Sequence, residues 1–201
     1  MGNYLVLQTD FGLVDGAVSA MYGVAYSVNP DITIENLTHD IPPYDIWVAS
    51  YRLYQTVKYW PEGTVFVSVV DPGVGSDRKS VVAKTTSGHY IITPDNGSLT
   101  HIAHYDGLEE VRLIDEVKSR LPHSEESHTF HGRDIYAYNG ARLASKEITF
   151  EELGSVTSLD SIEKLEITES TLEGSIMKGS IDVLDVRFGS LWTSIPSTFV
   201  K

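Results

Sequence analysis

Hydrophobic and polar positions recur along this chain with two different periods, and the switches between them outline the fold. Tyr4–Gln8 is a short apolar run that ends in the string "TDFG". Residues 15–28, "DGAVSAMYGVAYSV", are small and apolar, read as a helix, and stop at "NPD". Residues 32–37 are β-branched and predict a strand. In "DIWVASYRLYQTVKYW", residues 45–60, Ile46, Ala49, Leu53, Val57 and Trp60 fall at three- and four-residue steps. That spacing predicts an amphipathic helix, halted by "PEG". Residues 64–70, "TVFVSVV", form a predominantly apolar run, as expected of a strand covered on both faces.

Further on, residues 80–85 and 89–93 read as strands separated by a Ser-Gly turn, and "PDNG" adds an Asn-Gly turn signal. Residues 115–129 are polar and predict a mobile loop, whereas 132–146 read as a helix weakened by Gly140. From about Ile167 the pattern becomes a series of short β stretches. Strands alternating with helices imply an α/β domain with a mostly parallel sheet, here over residues 1–165. Residues 166–201 read as the start of a separate β unit.

Composition narrows the function. With 41% hydrophobic and 21% charged residues in 201, the chain can bury a sizeable core. It has no apolar run of membrane-spanning length and no basic-then-apolar leader, which predicts a cytoplasmic protein without a membrane partner. The absence of cysteine excludes disulfides, thiolate metal sites and a cysteine nucleophile. A net charge of −13 lacks the basic footprint that nucleic acid requires and suits a small neutral or cationic ligand.

In an open α/β sheet, ligands bind beyond the carboxyl ends of the strands. Four polar clusters fall at such places: Thr9-Asp10 with Asp15, Asp71 to Arg78, Pro94 to Gly97, and His131 to Asp134. Each has a plain structural reading. Asp10 or Asp15 can cap a helix, "DPGVGSDR" can be a long turn, "PDNG" a tight one, and His131 a core histidine. Residues 1–40 hold no G-x-G-x-x-G, which argues against a dinucleotide-binding oxidoreductase.

Taken in order, "TDFG" with its following Asp, "DPGVGS.R", "PDNG.LT", "FHGRD" and the late "DVRFGSLWTSI" resemble the S-adenosylmethionine hydroxide adenosyltransferases. These enzymes are also called adenosine-forming S-adenosylmethionine hydrolases and are relatives of the fluorinases and chlorinases. The resemblance implies a three-layer N-terminal α/β domain followed by a C-terminal β-barrel, a homotrimer with sites between subunits, and no metal or cofactor beyond the substrate. It implies a catalytic set of Asp71, Arg78 and His131, which the halogenating relatives replace with a halide pocket. Asp10 corresponds to the family's ribose-binding aspartate and Asp15 to a residue near the methionine moiety. Tyr44 falls where relatives carry an aromatic packed on the ligand, and Asn96 lies in the "PDNG" motif. Asp185 and Ser190 match positions facing the amino-acid end, although the family motif usually has Asn where Ser190 stands.

Overall fold

Along β1 (Tyr4–Thr9) successive side chains point to opposite faces, so Leu5 and Leu7 enter one apolar core and Val6 another. The same split recurs in β3 (Val65–Val69), with Val65, Val67 and Val69 on the first side and Phe66 on the second. Helices α1 (Ala17–Val28) and α4 (Tyr138–Ala144) cover the first core. Helices α2 (Ile46–Val57) and α3 (Thr100–Tyr105) cover the second. The result is a three-layer α/β unit. This computed structural model describes residues 3–126 and 129–200.

The sheet also contains β2 (Thr33–Thr38), β4 (Ser80–Thr85), β5 (Tyr90–Pro94), β6 (Leu108–Ile114) and β7 (Gly154–Thr157), in the order β2-β1-β3-β5-β4-β6-β7. β1 is parallel to β2 and β3, and β3 to β5, whereas β4, β6 and β7 add an antiparallel extension. From β1 the chain crosses through α1 to β2 on one side, then through α2 to β3 on the other. Strand order therefore reverses between β1 and β3, which opens a crevice at their carboxyl ends.

Several elements differ from the sequence reading, for identifiable reasons. Helix α2 opens on Asp45, whose side chain accepts from Val48 N at 2.9 Å, and ends at Val57 rather than Trp60. The last residues tighten into a turn, because a residue preceding proline, here Pro61, is driven out of the α region. Residues 132–146 open as a six-residue π-helix, Gly132–Ala137, before continuing as α4. A Cβ on Gly140 would stand 2.5 Å from Val67 Cγ2 and 3.0 Å from Leu5 Cδ1. The residue that weakens the helix by propensity is thus the one that lets it lie close on β1 and β3.

The polar stretch 115–129 is anchored where a mobile loop was expected. Asn139 Nδ2 donates to Ser119 O at 2.6 Å, and Leu121 N donates to Asp134 O at 2.9 Å. Residues 127 and 128 of that stretch lie outside the described residues.

The chain divides into two compact units, residues 1–164 and 165–201. The second consists of two antiparallel pairs, β8 (Thr171–Glu173) with β9 (Ile176–Lys178) and β10 (Ile181–Asp185) with β11 (Ser190–Thr193). Among the described residues, no helix is long and apolar enough to cross a membrane.

Candidate active site

The turn after β3 is built to bring two distant charges together. Val74 N bonds to Asp71 O and Ser76 N to Gly73 O, and Gly75 takes φ +79°, where only glycine is at ease. A Cβ on Gly73 would lie 3.3 Å from Arg78 Cγ, so the missing side chain makes room for the arginine stem to fold back. Seven residues apart in sequence, Asp71 and Arg78 then form a two-pronged ion pair: Arg78 Nε reaches the carboxylate at 2.8 and 3.0 Å, and Nη2 reaches it at 2.5 Å.

Every N–H of Arg78 has an acceptor when the lone pair of His131 lies on Nδ1. Besides Asp71, Nη1 donates to Ser80 Oγ at 2.9 Å and to Glu116 Oε1 at 3.1 Å, and Nη2 lies 3.0 Å from His131 Nδ1. That uses all five donors of the guanidinium. Ser80 Oγ donates to Glu116 Oε1 at 2.5 Å and lies 2.8 Å from the Tyr136 hydroxyl. Side-chain exposure is only 5% for Asp71, 10% for Arg78 and 7% for His131, so the charges are held almost dry. Burial works against the Arg78 charge, but the surrounding acidic groups outweigh it and raise the arginine pKa. For Tyr136 burial dominates and pushes the phenol far up, which keeps it a neutral hydrogen-bonding group.

His131 sits just before the π-helix, and its pKa lies below the ordinary histidine value. Burial is the main cause; Arg78 and Arg120 act in the same direction, while Glu116 and Asp71 oppose. On its far edge, Nε2 lies 3.2 Å from Arg120 Nη2.

Two members of this cluster, Asp71 and His131, line a cavity of about 250 Å³ together with Asp10, Tyr44 and Phe130, among others, and Arg78 joins the two from behind. Asp10 follows β1 and Asp71 follows β3, so the cavity occupies the predicted crevice at the strand-order reversal. On this side the site is sparsely bonded. Asp10 Oδ2 accepts from Tyr44 N at 2.8 Å, and Tyr44, at φ +66°, is 68% exposed. Thr9 fixes the approach to Asp10: its Oγ1 lies 2.7 Å from His39 Nδ1 and accepts from Phe11 N at 3.2 Å.

Other residues singled out from sequence lie elsewhere. Asp15 is exposed, accepts from Ala17 N at 2.8 Å, and borders a second, more open hollow that shares Phe11, Thr129 and Phe130 with the first. Asn96 does not line the cavity. Its amide donates to Val70 O at 2.9 Å and accepts from Ser98, tying the turn after β5 to the residue before Asp71. Asp185 and Ser190 are paired across β10 and β11 in the second unit. Sequence reasoning missed Ser80, Glu116, Arg120 and Tyr136. Only Tyr136 carried a signal, standing five residues beyond His131 on a helical stretch.

Comparison with known proteins identifies the family. Residues 5–154 match the SAM hydroxide adenosyltransferase N-terminal domain. A protein of Methanocaldococcus jannaschii named (R)-S-adenosyl-L-methionine hydrolase is 39% identical over 165 residues, covering 80% of this chain. The match spans 60% of that relative's length. A fluorinase of an Actinoplanes species is 28% identical over 98% of this chain and 73% of its own. The crystal structure of an uncharacterized conserved protein from Thermotoga maritima superposes with a TM-score of 0.88 at 34% identity, over 97% of this chain and 72% of that one. The chain belongs to the SAM hydroxide adenosyltransferase family.

Proposed function

We propose that the protein hydrolyses S-adenosyl-L-methionine to adenosine and L-methionine by attack of water on the ribose C5′. The observation that carries this reading is the interlocked Asp71–Arg78–His131 cluster, of which Asp71 and His131 line the cavity. In the reaction the C5′–O bond forms as the C5′–S bond breaks, and methionine leaves as a neutral thioether. The leaving group needs no acid, so the one proton to be moved is that of the water. Bulk water has a pKa of about 15.7 and needs a nearby acceptor. A neutral imidazole supplies the lone pair, and a fixed guanidinium stabilises hydroxide character as it develops. Arg78 meets the water by exchanging its contact to His131 Nδ1, since its bonds to Asp71 and Glu116 are ionic. A halide ion carries no proton, so a halide-using site has no need of such an acceptor.

Asp10 retains acceptor positions for two ribose hydroxyls, and the exposed Tyr44 ring supplies a surface for the nucleoside to pack on. Asp15 is directed to the methionine ammonium, and Asn96 assists by holding the carbonyl beside Asp71. A cavity of about 250 Å³ falls short of the roughly 300–1,000 Å³ usual for small-molecule sites. This shortfall supports a homotrimer in which another copy closes the site, with Asp185 and Ser190 contributing to the amino-acid end. The cytoplasm is the compartment this reading assigns.

The test is product analysis of the purified protein with S-adenosylmethionine in ¹⁸O-water. Adenosine carrying the label in its 5′-hydroxyl is expected, with equimolar methionine. A halide-dependent 5′-halogenated nucleoside, or binding without adenosine, would overturn the proposal.

A further inference from the structure

The imidazole of His131 is flanked on both edges by guanidinium groups. Arg78 Nη2 lies 3.0 Å from Nδ1, and Arg120 Nη2 lies 3.2 Å from Nε2. A neutral imidazole has one lone pair and one N–H, so it can accept from only one of the two donors. A protonated ring has no lone pair at all, and would place a third positive charge between two others. Both nitrogens therefore sit where protonation is opposed, by lost hydrogen bonding and by like charge.

Arg120 is not a stray surface side chain. The backbone on each side of it is anchored to the helical segment that His131 precedes: Ser119 O accepts from Asn139 Nδ2, and Leu121 N donates to Asp134 O. Its Nη1 also reaches Ser124 O at 3.5 Å. Arg120 is not among the described residues that line the cavity, and its contact with the site is to His131.

We propose that Arg120 is a positioning residue for His131, bracketing the ring with Arg78 so that it stays neutral and fixed in plane in mildly acidic solution. The other charged groups around the ring set the balance. From the loop into β4 come Arg78 and Asp71, and from the segment after β6 come Arg120 and Glu116, whose Oε2 is 3.7 Å from Nδ1. On the ring's own element, Arg133 and Asp134 are paired with each other. Asp10 shares the cavity from the end of β1. Asp71 is bonded to Arg78, and Glu116 is shared between Arg78 and Ser80. Arg120 thus places its guanidinium beside Nε2, on the edge of the ring opposite Arg78.

This inference rests on the hydrolase reading for its consequence, but its primary test does not. Histidine-labelled protein is titrated by NMR, with the His131 signal assigned from its loss in His131→Asn. In Arg120→Met the His131 signal should titrate at higher pH than in the wild-type protein. Arg120→Lys, which keeps the charge, should titrate near the wild type. Arg120→Gln serves if the Met variant does not fold. In turnover, the acid limb of kcat/KM for S-adenosylmethionine should move to higher pH in the Met variant, with KM at pH 8 unchanged within about twofold, since no substrate contact is lost. A His131 titration identical in the wild type and the folded Met variant would overturn the proposal. So would equal displacement in the Met and Lys variants, because the charge would then not be the agent. Wild-type protein without hydrolase activity defeats the hydrolase reading, and the NMR titration still decides the role of Arg120.

Discussion

The two ends of the cavity are built on opposite plans. At the Arg78 end every donor of a buried cation is used internally, through Asp71, Ser80, Glu116 and His131. At the Asp10 end, among the described residues, a single backbone hydrogen bond reaches the carboxylate, and the neighbouring Tyr44 stands open. A saturated, dry cluster holds its charge in place before any ligand arrives, which is what stabilising a developing charge requires. A half-used carboxylate is instead ready to accept new partners. On the proposed reading, the contrast divides the cavity into an end that acts and an end that holds.

Removing Arg78 tests the first half of this division most severely. Arg78→Met leaves Asp71 and Glu116 without their cation, and breaking a buried ion pair typically costs about 3–5 kcal/mol. A correspondingly large drop in chemical-denaturation stability is expected, together with loss of turnover. His131→Ala is gentler on the fold and more specific. Steady-state kinetics should show turnover lowered by about 10²–10⁴-fold with KM little changed, as for loss of a positioned general base. A change confined to KM would move His131 to the holding end.

At that end, Asp10→Ala should weaken adenosine binding in calorimetry by about 1–3 kcal/mol, through ribose hydroxyls left unpaired, while leaving the melting temperature nearly unchanged. Lower stability with unchanged affinity would make Asp10 a structural residue.

Acidification acts on four buried histidines, of which His131 belongs to the dry end. Burial holds the pKa values of His39, His89, His101 and His131 below 6.5, that of His101 at about 4. Between the folded values and 6.5 the unfolded chain binds more protons than the folded one, so stability is fully present above pH 6.5 and lost as pH falls below it. Thermal melts from pH 7.5 to 4.5 should record that decline. The smallest effect belongs to Asp15→Ala, which removes one exposed turn bond before α1 and should cost about 0.5–1 kcal/mol of stability. A larger loss in S-adenosylmethionine affinity than in stability would confirm its assignment to the ammonium.

The dividing line also runs through what the sequence made legible. Periodicity revealed α2 and the doubly covered β3, because burial on one face or on two leaves a pattern. The Pro-Gly-x-Gly stretch announced a folded-back loop, and the Asp71–Arg78 pair is its product. The antiparallel extension was harder: β6, "LEEVRLI", has only Val111 and Ile114 fully buried, too few for a clear strand period. Glu116 and Arg120 lay in a polar stretch where composition favours a loop. Which charges in such a stretch turn inward depends on partners far away in sequence, here Ser80 and His131. Asn96 misled in the opposite sense, since the turn chemistry that made it conspicuous is also what occupies its side chain.

The π-helix at Gly132–Ala137 bears on how such a site can change over evolutionary time. Each residue of an α-helix advances the direction of its side chain by about 100°. A π-turn accommodates one residue beyond the α-helical count, so deleting a single residue within it would let the segment relax to ordinary α-geometry. The hydrophobic residues of α4 could keep their seat on β1 and β3 through Gly140, while everything before the deletion rotates. His131 would swing away from Arg78, and Tyr136 or its replacement away from Ser80, in one genetic event. Loss of one codon, with no substitution at any charged position, would dismantle the acting end of the cavity and leave the holding end intact.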